Sequence, residues 1–152
     1  MKTLFLKTFI TTFLIFGSAS AFAGDDVGLL ERLKEAKLTL LEGVDQLEYE
    51  HGPAISAKFE MKNNILKLSV YTVQHGLSVG AERNPLLEFL GDSTQNSWSP
   101  ERTEFTDKPH IARAAVQLSL LQLSQYGFKN IISKVNKLHP GMVYSVKPKL
   151  IN

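Results

Sequence analysis

The residue types that most often carry chemistry are sparse and scattered in this chain. Four histidines are present, His51, His75, His110 and His139, and none stands three or four residues from another, as paired metal ligands usually do. The 152 residues include no cysteine, which excludes thiolate zinc sites, cysteine nucleophiles and disulfides. No nucleophile elbow and no glycine-rich phosphate loop is present. The sequence therefore predicts a non-enzyme without catalytic residues, resident metal or cofactor.

Two of the histidines occupy equivalent places in the pattern. His51 and His139 each follow a run with helical periodicity and stand beside glycine and proline. An imidazole at a helix end can hydrogen-bond free carbonyls and suits the negative pole of the helix. The pattern favours this structural role over a metal-binding role.

Four residues are candidates for binding a partner. His110, Arg113 and Gln117 form a polar stripe on a predicted helix, which is either a contact for an acidic group or the solvated edge of that helix, and the pattern favours the edge. Trp98 is the only tryptophan and stands among polar residues. It is either an exposed anchor or a lid packed on the core, and the rarity of large exposed rings favours the lid.

The charge is segregated along the chain. Lys2 and Lys7 lie in the first 23 residues, and the remainder holds 15 basic and 15 acidic residues, so its net charge of zero gives no argument for nucleic-acid binding. Residues 24–107 hold 8 basic and 15 acidic residues, whereas residues 108–152 hold 7 basic residues and no acid. Either the two parts pack against each other, which the pattern favours, or the basic part is open to an acidic partner or a neighbouring copy.

Residues 1–23 have the composition of a signal peptide. Two lysines precede an apolar run at 8–16, and Ala21 and Ala23 fit a signal-peptidase site that would leave Gly24 as the new N-terminus. The alternative is a retained anchor, but the run is short for a membrane span. We therefore expect a periplasmic protein with no membrane segment after cleavage.

Helical periodicity is clear at 29–49, where apolar residues recur every three or four positions. Thr39 and Glu42 fit a capping box that would begin a new helix. One long helix and two shorter helices are both consistent with this pattern.

Residues 54–73 predict a β-hairpin with one buried face. Apolar residues alternate with polar ones on both sides of Asn63 and Asn64, and asparagine tolerates the positive φ of a two-residue turn. This turn places Phe59 opposite Leu68, with Met61 opposite Leu66 and Ala57 opposite Val70 on the same face.

The remaining segments predict three helices and one strand. Residues 84–91 resemble a short helix, because Asn84 and Pro85 fit its start and Gly91 its end. Residues 109–124 predict an apolar, central and largely buried helix, and 128–138 an amphipathic one. Residues 143–149 predict a strand, which Pro148 restricts to an edge or a strand end.

These elements form a degenerate internal repeat. Each copy consists of a helix, a histidine with glycine and proline, and a strand. We expect a single domain over 24–152, with a first unit at about 28–74, a connection at about 75–107 and a second unit at about 108–152. The predicted class is α+β, with helices packed on one face of an antiparallel sheet that the two units share.

Several stretches resemble the PepSY domain and the small exported PepSY-like proteins of proteobacteria. They are 38–44, 51–60 and 66–71, a second half-copy at 144–148, and the short motifs at 89–92, 98–101 and 110–113. The resemblance implies a fold of helices on an antiparallel sheet. It also implies a non-catalytic module that inhibits or modulates peptidases in the cell envelope.

Two functions follow as expectations. The first is a periplasmic binding or regulatory module that acts through protein contacts, for example on a peptidase. The second is a carrier that holds a small ligand or metal between helix and sheet. An enzyme is the least favoured class, because no acid, base and nucleophile can be named.

Overall fold

The computed structural model describes residues 24–139 and 141–149, so the predicted signal peptide lies outside the described residues. The chain forms four α-helices, five strands and two short 3₁₀ helices within these ranges. In chain order they are α1 (Gly24–Arg32), a 3₁₀ helix (Leu33–Glu35), α2 (Leu40–His51), β1 (Ala54–Lys62), β2 (Ile65–Val73), a 3₁₀ helix (Ala81–Arg83), β3 (Leu86–Asp92), β4 (Glu101–Glu104), α3 (Lys108–Leu123), α4 (Phe128–Leu138) and β5 (Ser145–Val146).

The strands form one antiparallel sheet in the order β4-β3-β2-β1-β5. Helices α2, α3 and α4 all contact β1, the strand next to the edge strand β5. The predicted α+β class, with helices packed on an antiparallel sheet, is confirmed. Strand β5 lies at an edge, as Pro148 predicts, but it is shorter than the expected strand at 143–149.

The predicted hairpin is confirmed residue by residue. Phe59 pairs with Leu68, and the neighbouring apolar pairs follow in the expected register. Asn63 and Asn64 have φ of 53° and 59°, the left-handed conformation that a tight two-residue turn requires. Phe59 and Leu68 are both buried, so the apolar side of the hairpin faces the core.

The segment at 29–49 forms two helices. Helix α1 ends at Arg32, and α2 begins after the predicted cap, Thr39. The backbone N–H of Glu42 donates to Oγ1 of Thr39 at 3.2 Å, and the backbone N–H of Thr39 donates to Oε2 of Glu42 at 2.6 Å. This reciprocal capping satisfies two otherwise free donors and fixes the start of α2.

The two faces of the sheet present different side chains. A Cβ at Gly43 of α2 would overlap Cδ2 of Leu68, so α2 packs closely on the face that contains Leu68. We call this the α2 face. Tyr71 is three residues further along β2 and points to the opposite side, because side chains alternate along a strand. We call that side the Tyr71 face.

The expected short helix at 84–91 is wrong. This segment forms β3, which pairs with β2 over seven residues. Asn84 does not cap a helix; its side chain accepts from the N–H of His75 at 2.8 Å and donates to the carbonyls of Gly76 and Val79. The ladder to β2 outweighs the local helix signals, since it satisfies the backbone of a strand that is buried at alternate positions.

The boundaries of the helix at 128–138 are confirmed, and the helix at 109–124 forms one residue earlier at each end. The prediction that the helix at 109–124, which is α3, is largely buried is wrong. Ala114 and Leu118 are fully buried, but Val116 is 52% exposed and Leu123 is 80% exposed. Only one side of α3 faces the rest of the protein, and apolar residues on the other side face solvent.

The two helix–strand units share the sheet as predicted. Their strands lie side by side, with Ala57 of β1 opposite Val146 of β5. Their helices contact each other through Nζ of Lys129 on α4, which pairs with the carboxylates of Asp45 and Glu48 on α2. This contact joins the acidic unit to the basic unit within one molecule.

Candidate functional site

Trp98 lies in the core, as the lid interpretation expects. Its side chain is 5% exposed, and its backbone carbonyl accepts a 3.1 Å hydrogen bond from Nε2 of Gln46 on α2. A Cβ at Gly91 of β3 would stand 2.6 Å from the indole nitrogen, so the ring covers the sheet where a side chain is absent. Trp98 closes the α2 face at the β3 side of the sheet.

His110 helps to fix the start of α3. Its backbone N–H donates to Oδ1 of Asp107 at 3.0 Å, and its ring Nδ1 lies 2.7 Å from both carboxylate oxygens. These bonds, first from the backbone and then from the ring, lower the pKa of Asp107. The imidazole also stacks on Phe105 with ring centroids 5.6 Å apart. The His110 side chain is half-exposed. Its ring already contacts Asp107 and Phe105.

Arg113 stands beside the Tyr71 face. Its side chain is exposed and forms no ion pair with another residue that the structure describes. Burial, followed by the charges of Glu88 and Glu60, raises the pKa of Tyr71 to about 12, and the charge of Arg113 acts in the opposite direction. Arg113 is thus an exposed cation next to a buried phenol.

Gln117 corrects the interpretation of the polar stripe as a solvated edge. Its side chain is 5% exposed, and its Oε1 is buried without a hydrogen-bond partner among the described residues. The residue lies between Ala114 and Leu118 along the inner side of α3, where the helix meets the protein. The stripe therefore runs from an exposed arginine to a buried amide.

The structure does not bring the four candidate residues together. Trp98 covers Gly91, which pairs with Leu68 on the α2 face. His110 stacks on Phe105, whose ring contacts Tyr71 at 4.8 Å on the other face. Trp98 and His110 therefore lie against opposite faces of the sheet.

Most cations in the basic part of the chain form no ion pair with a residue that the structure describes. Of its seven cations, Lys129 alone pairs with an acidic residue among those described. The other six side chains are exposed: Lys108, Arg113, Lys134, Lys137, Lys147 and Lys149. We call residues 108–149 the basic segment.

Exposed apolar residues in the basic segment were missed by the sequence analysis. Leu138 is 63% exposed and Met142 is 46% exposed, in addition to Val116 and Leu123 on α3. Val116 and Leu123 were expected on the buried face of the helix at 109–124, whereas Leu138 and Met142 were assigned to neither core nor surface. Only the position of α3 and α4 on the sheet shows which apolar side chains remain outside.

Within residues 24–139 and 141–149, no three histidine, aspartate or glutamate side chains come together as a metal site would require. No helix in these ranges has the length and hydropathy to cross a membrane. An open depression beside the end of α3 is lined by both apolar and polar groups, among them Leu77, Leu121 and Gln122.

Comparison of the chain with protein-family models, curated proteins and solved structures gives no match. The resemblance to the PepSY domain therefore stays a prediction.

Proposed function

We propose that the protein is a non-catalytic binding module of the bacterial periplasm that regulates an envelope protein, such as a peptidase, through direct contact. Export by a signal peptide cleaved after Ala23 and membership of the PepSY-like proteins are part of this proposal. The observation that carries it is the set of exposed cations in the basic segment, which contains no acidic residue.

The unpaired cations support an external acidic partner over internal neutralisation. If the acidic and basic units neutralised each other, most of the seven cations would meet carboxylates across the contact between them. Lys129 is the one that does so among the described residues. The remaining positive charge faces solvent, where it steers association with a surface of opposite charge.

The outer side of α4 has the composition of a binding surface. Lys134 and Lys137 stand one turn apart and are both exposed, and Leu138 follows them with 63% of its area in solvent. Nζ of Lys134 lies 5.3 Å from the ring centroid of Tyr126. Apolar groups bordered by charge are typical of protein interfaces, whose centre is apolar and whose rim is polar.

A matched pair of charge reversals tests this proposal. Lys134→Glu with Lys137→Glu reverses the charge of α4, and Lys34→Glu with Lys37→Glu reverses two equally spaced, exposed lysines of the first unit. Tagged proteins are exported, purified from the periplasm and used to capture envelope proteins at low and high salt. A captured peptidase is then assayed with a peptide substrate.

We expect the unaltered protein and the Lys34/Lys37 variant to retain the same partner and to change its activity. The Lys134/Lys137 variant should lose the partner, and high salt should weaken capture because exposed charges are screened. Retention that is equal for both variants, or a partner whose activity never changes, would reject the proposal. A co-purified metabolite or metal would instead favour the carrier that the sequence left open.

A further inference from the structure

The outer side of α3 carries an apolar stripe that is open to solvent. Ala112, Val116, Ser119 and Leu123 follow one another at spacings of four, three and four residues, which places them in one line along a helix. Val116 is 52% exposed and Leu123 is 80% exposed. We call these four residues the α3 stripe.

The α3 stripe is electrically neutral, unlike the rest of the basic segment. No charged residue lies between Arg113 and Lys129. A strongly acidic protein or an anionic bilayer would gain most from surfaces where cations border the apolar groups. The stripe instead suits a neutral apolar surface of the same length, and the chain itself provides one.

The pattern is self-complementary under a two-fold axis. If two copies of α3 cross antiparallel at Ser119, Val116 of one copy lies near Leu123 of the other at both ends of the contact. Serine is small enough to let the helices approach closely. Its Oγ already donates to the carbonyl of Ala115 at 2.9 Å, so covering it leaves no unsatisfied hydroxyl.

The antiparallel arrangement also separates like charges. Arg113 lies six residues from the crossing point, which corresponds to about 18 Å along the axis between the two copies of this arginine. That distance exceeds the Debye length of about 8 Å at physiological ionic strength. The antiparallel helix dipoles add a small favourable contribution.

We propose that the protein forms a two-fold symmetric dimer in which the α3 stripe packs antiparallel against the α3 stripe of a second copy. The dimer contact uses none of the cations proposed to bind a partner, and only its role in that binding rests on the proposed function. Because one helix pair is a small interface, the dimer is weak and depends on concentration. Its function is to present two basic segments at once, which raises avidity for a partner with repeated acidic sites.

Sedimentation equilibrium of the purified protein from about 1 μM to about 1 mM, a range that covers weak specific interfaces, tests the dimer. Leu123→Glu places two carboxylates in the contact and should weaken dimerisation at least tenfold. Leu138→Glu is the matched control, because it alters an exposed leucine of α4 outside the stripe. A monomer at every concentration, or equal weakening by both variants, would overturn the proposal.

Cross-linking tests the arrangement even if Leu123→Glu does not fold. The chain has no cysteine, so Ser119→Cys introduces a single thiol at the proposed crossing point. With diamide as the oxidant we expect a disulfide-linked dimer for Ser119→Cys and none for Asn130→Cys on the outer side of α4. Equal cross-linking of both variants would contradict the arrangement. If the unaltered protein forms no dimer, and Leu123→Glu loses capture of envelope proteins or binding to vesicles, the stripe binds another occupant. That result would reject self-association.

Discussion

Helices α3 and α4 follow each other in the chain but distribute their apolar residues differently. In α4 four apolar residues, Phe128, Ile131, Ile132 and Val135, are buried on one side, and apart from Leu138 at the C-terminal end the exposed positions are polar or cationic. In α3 the apolar residues occupy both sides, and those of the α3 stripe face solvent. An amphipathic pattern identifies the buried side of a helix, whereas an apolar pattern all round indicates a second contact.

Truncation of apolar side chains should separate the two sides most strongly. Ile132→Ala removes a fully buried side chain of α4 and should cost about 2–5 kcal/mol of unfolding free energy. Leu123→Ala removes an 80% exposed side chain of α3 and should change that free energy by no more than about 0.5 kcal/mol. Urea denaturation at low protein concentration measures both. Similar losses for both variants would mean that the outer side of α3 is part of the monomer core.

The inner side of α3 contains a polar group that α4 lacks. Oε1 of Gln117 is buried without a hydrogen-bond partner among the described residues, and such a group costs about 1–3 kcal/mol. Gln117→Met keeps the length of the side chain and removes the amide, so it should stabilise the protein by up to that amount. A loss of stability in thermal unfolding would show that the amide has a bonding partner in solution.

The two helices also begin differently. The Asp107 carboxylate caps α3, whereas Gly127 precedes α4 without a side-chain cap. Asp107→Ala should therefore lower the melting temperature, and Gly127→Asp should raise it slightly.

The stabilising effect of Asp107 should depend on pH. Its folded pKa lies below the ordinary value, so its contribution is complete above the unfolded pKa and is lost as the pH falls through the folded pKa. Melting curves of the native protein and Asp107→Ala should converge in acid. Curves that stay parallel from neutral to acidic pH would contradict the assignment of the cap.

The smallest effect expected is on the titration of Tyr71. Burial raises its pKa to about 12, so its contribution to stability should fall as the pH rises from about 10 towards 12. Arg113→Ala on α3 should raise that pKa further, because the arginine favours the phenolate. Lys134→Ala on α4 should leave the pKa of Tyr71 unchanged in a spectrophotometric titration. An equal change of that pKa in both variants would contradict a local effect of Arg113.

Local signals in the sequence predicted the hairpin correctly but gave the wrong secondary structure for β3. The hairpin was predictable because its alternation and its two asparagines point to the same register. The segment of β3 carries a helix-like start at Asn84, and its true pairing depends on β2, which no local pattern reveals. The cations were visible in the sequence. The exposure of Leu123 and the burial of Gln117 depend on how α3 is rotated against the protein.

The central claim is that the protein acts by binding other proteins and carries no small ligand. Native mass spectrometry of the protein purified from the periplasm tests it most directly. We expect the mass of the chain cleaved before Gly24 with no bound small molecule, together with a dimer that grows with concentration. A metabolite or metal bound at a fixed stoichiometry would contradict it.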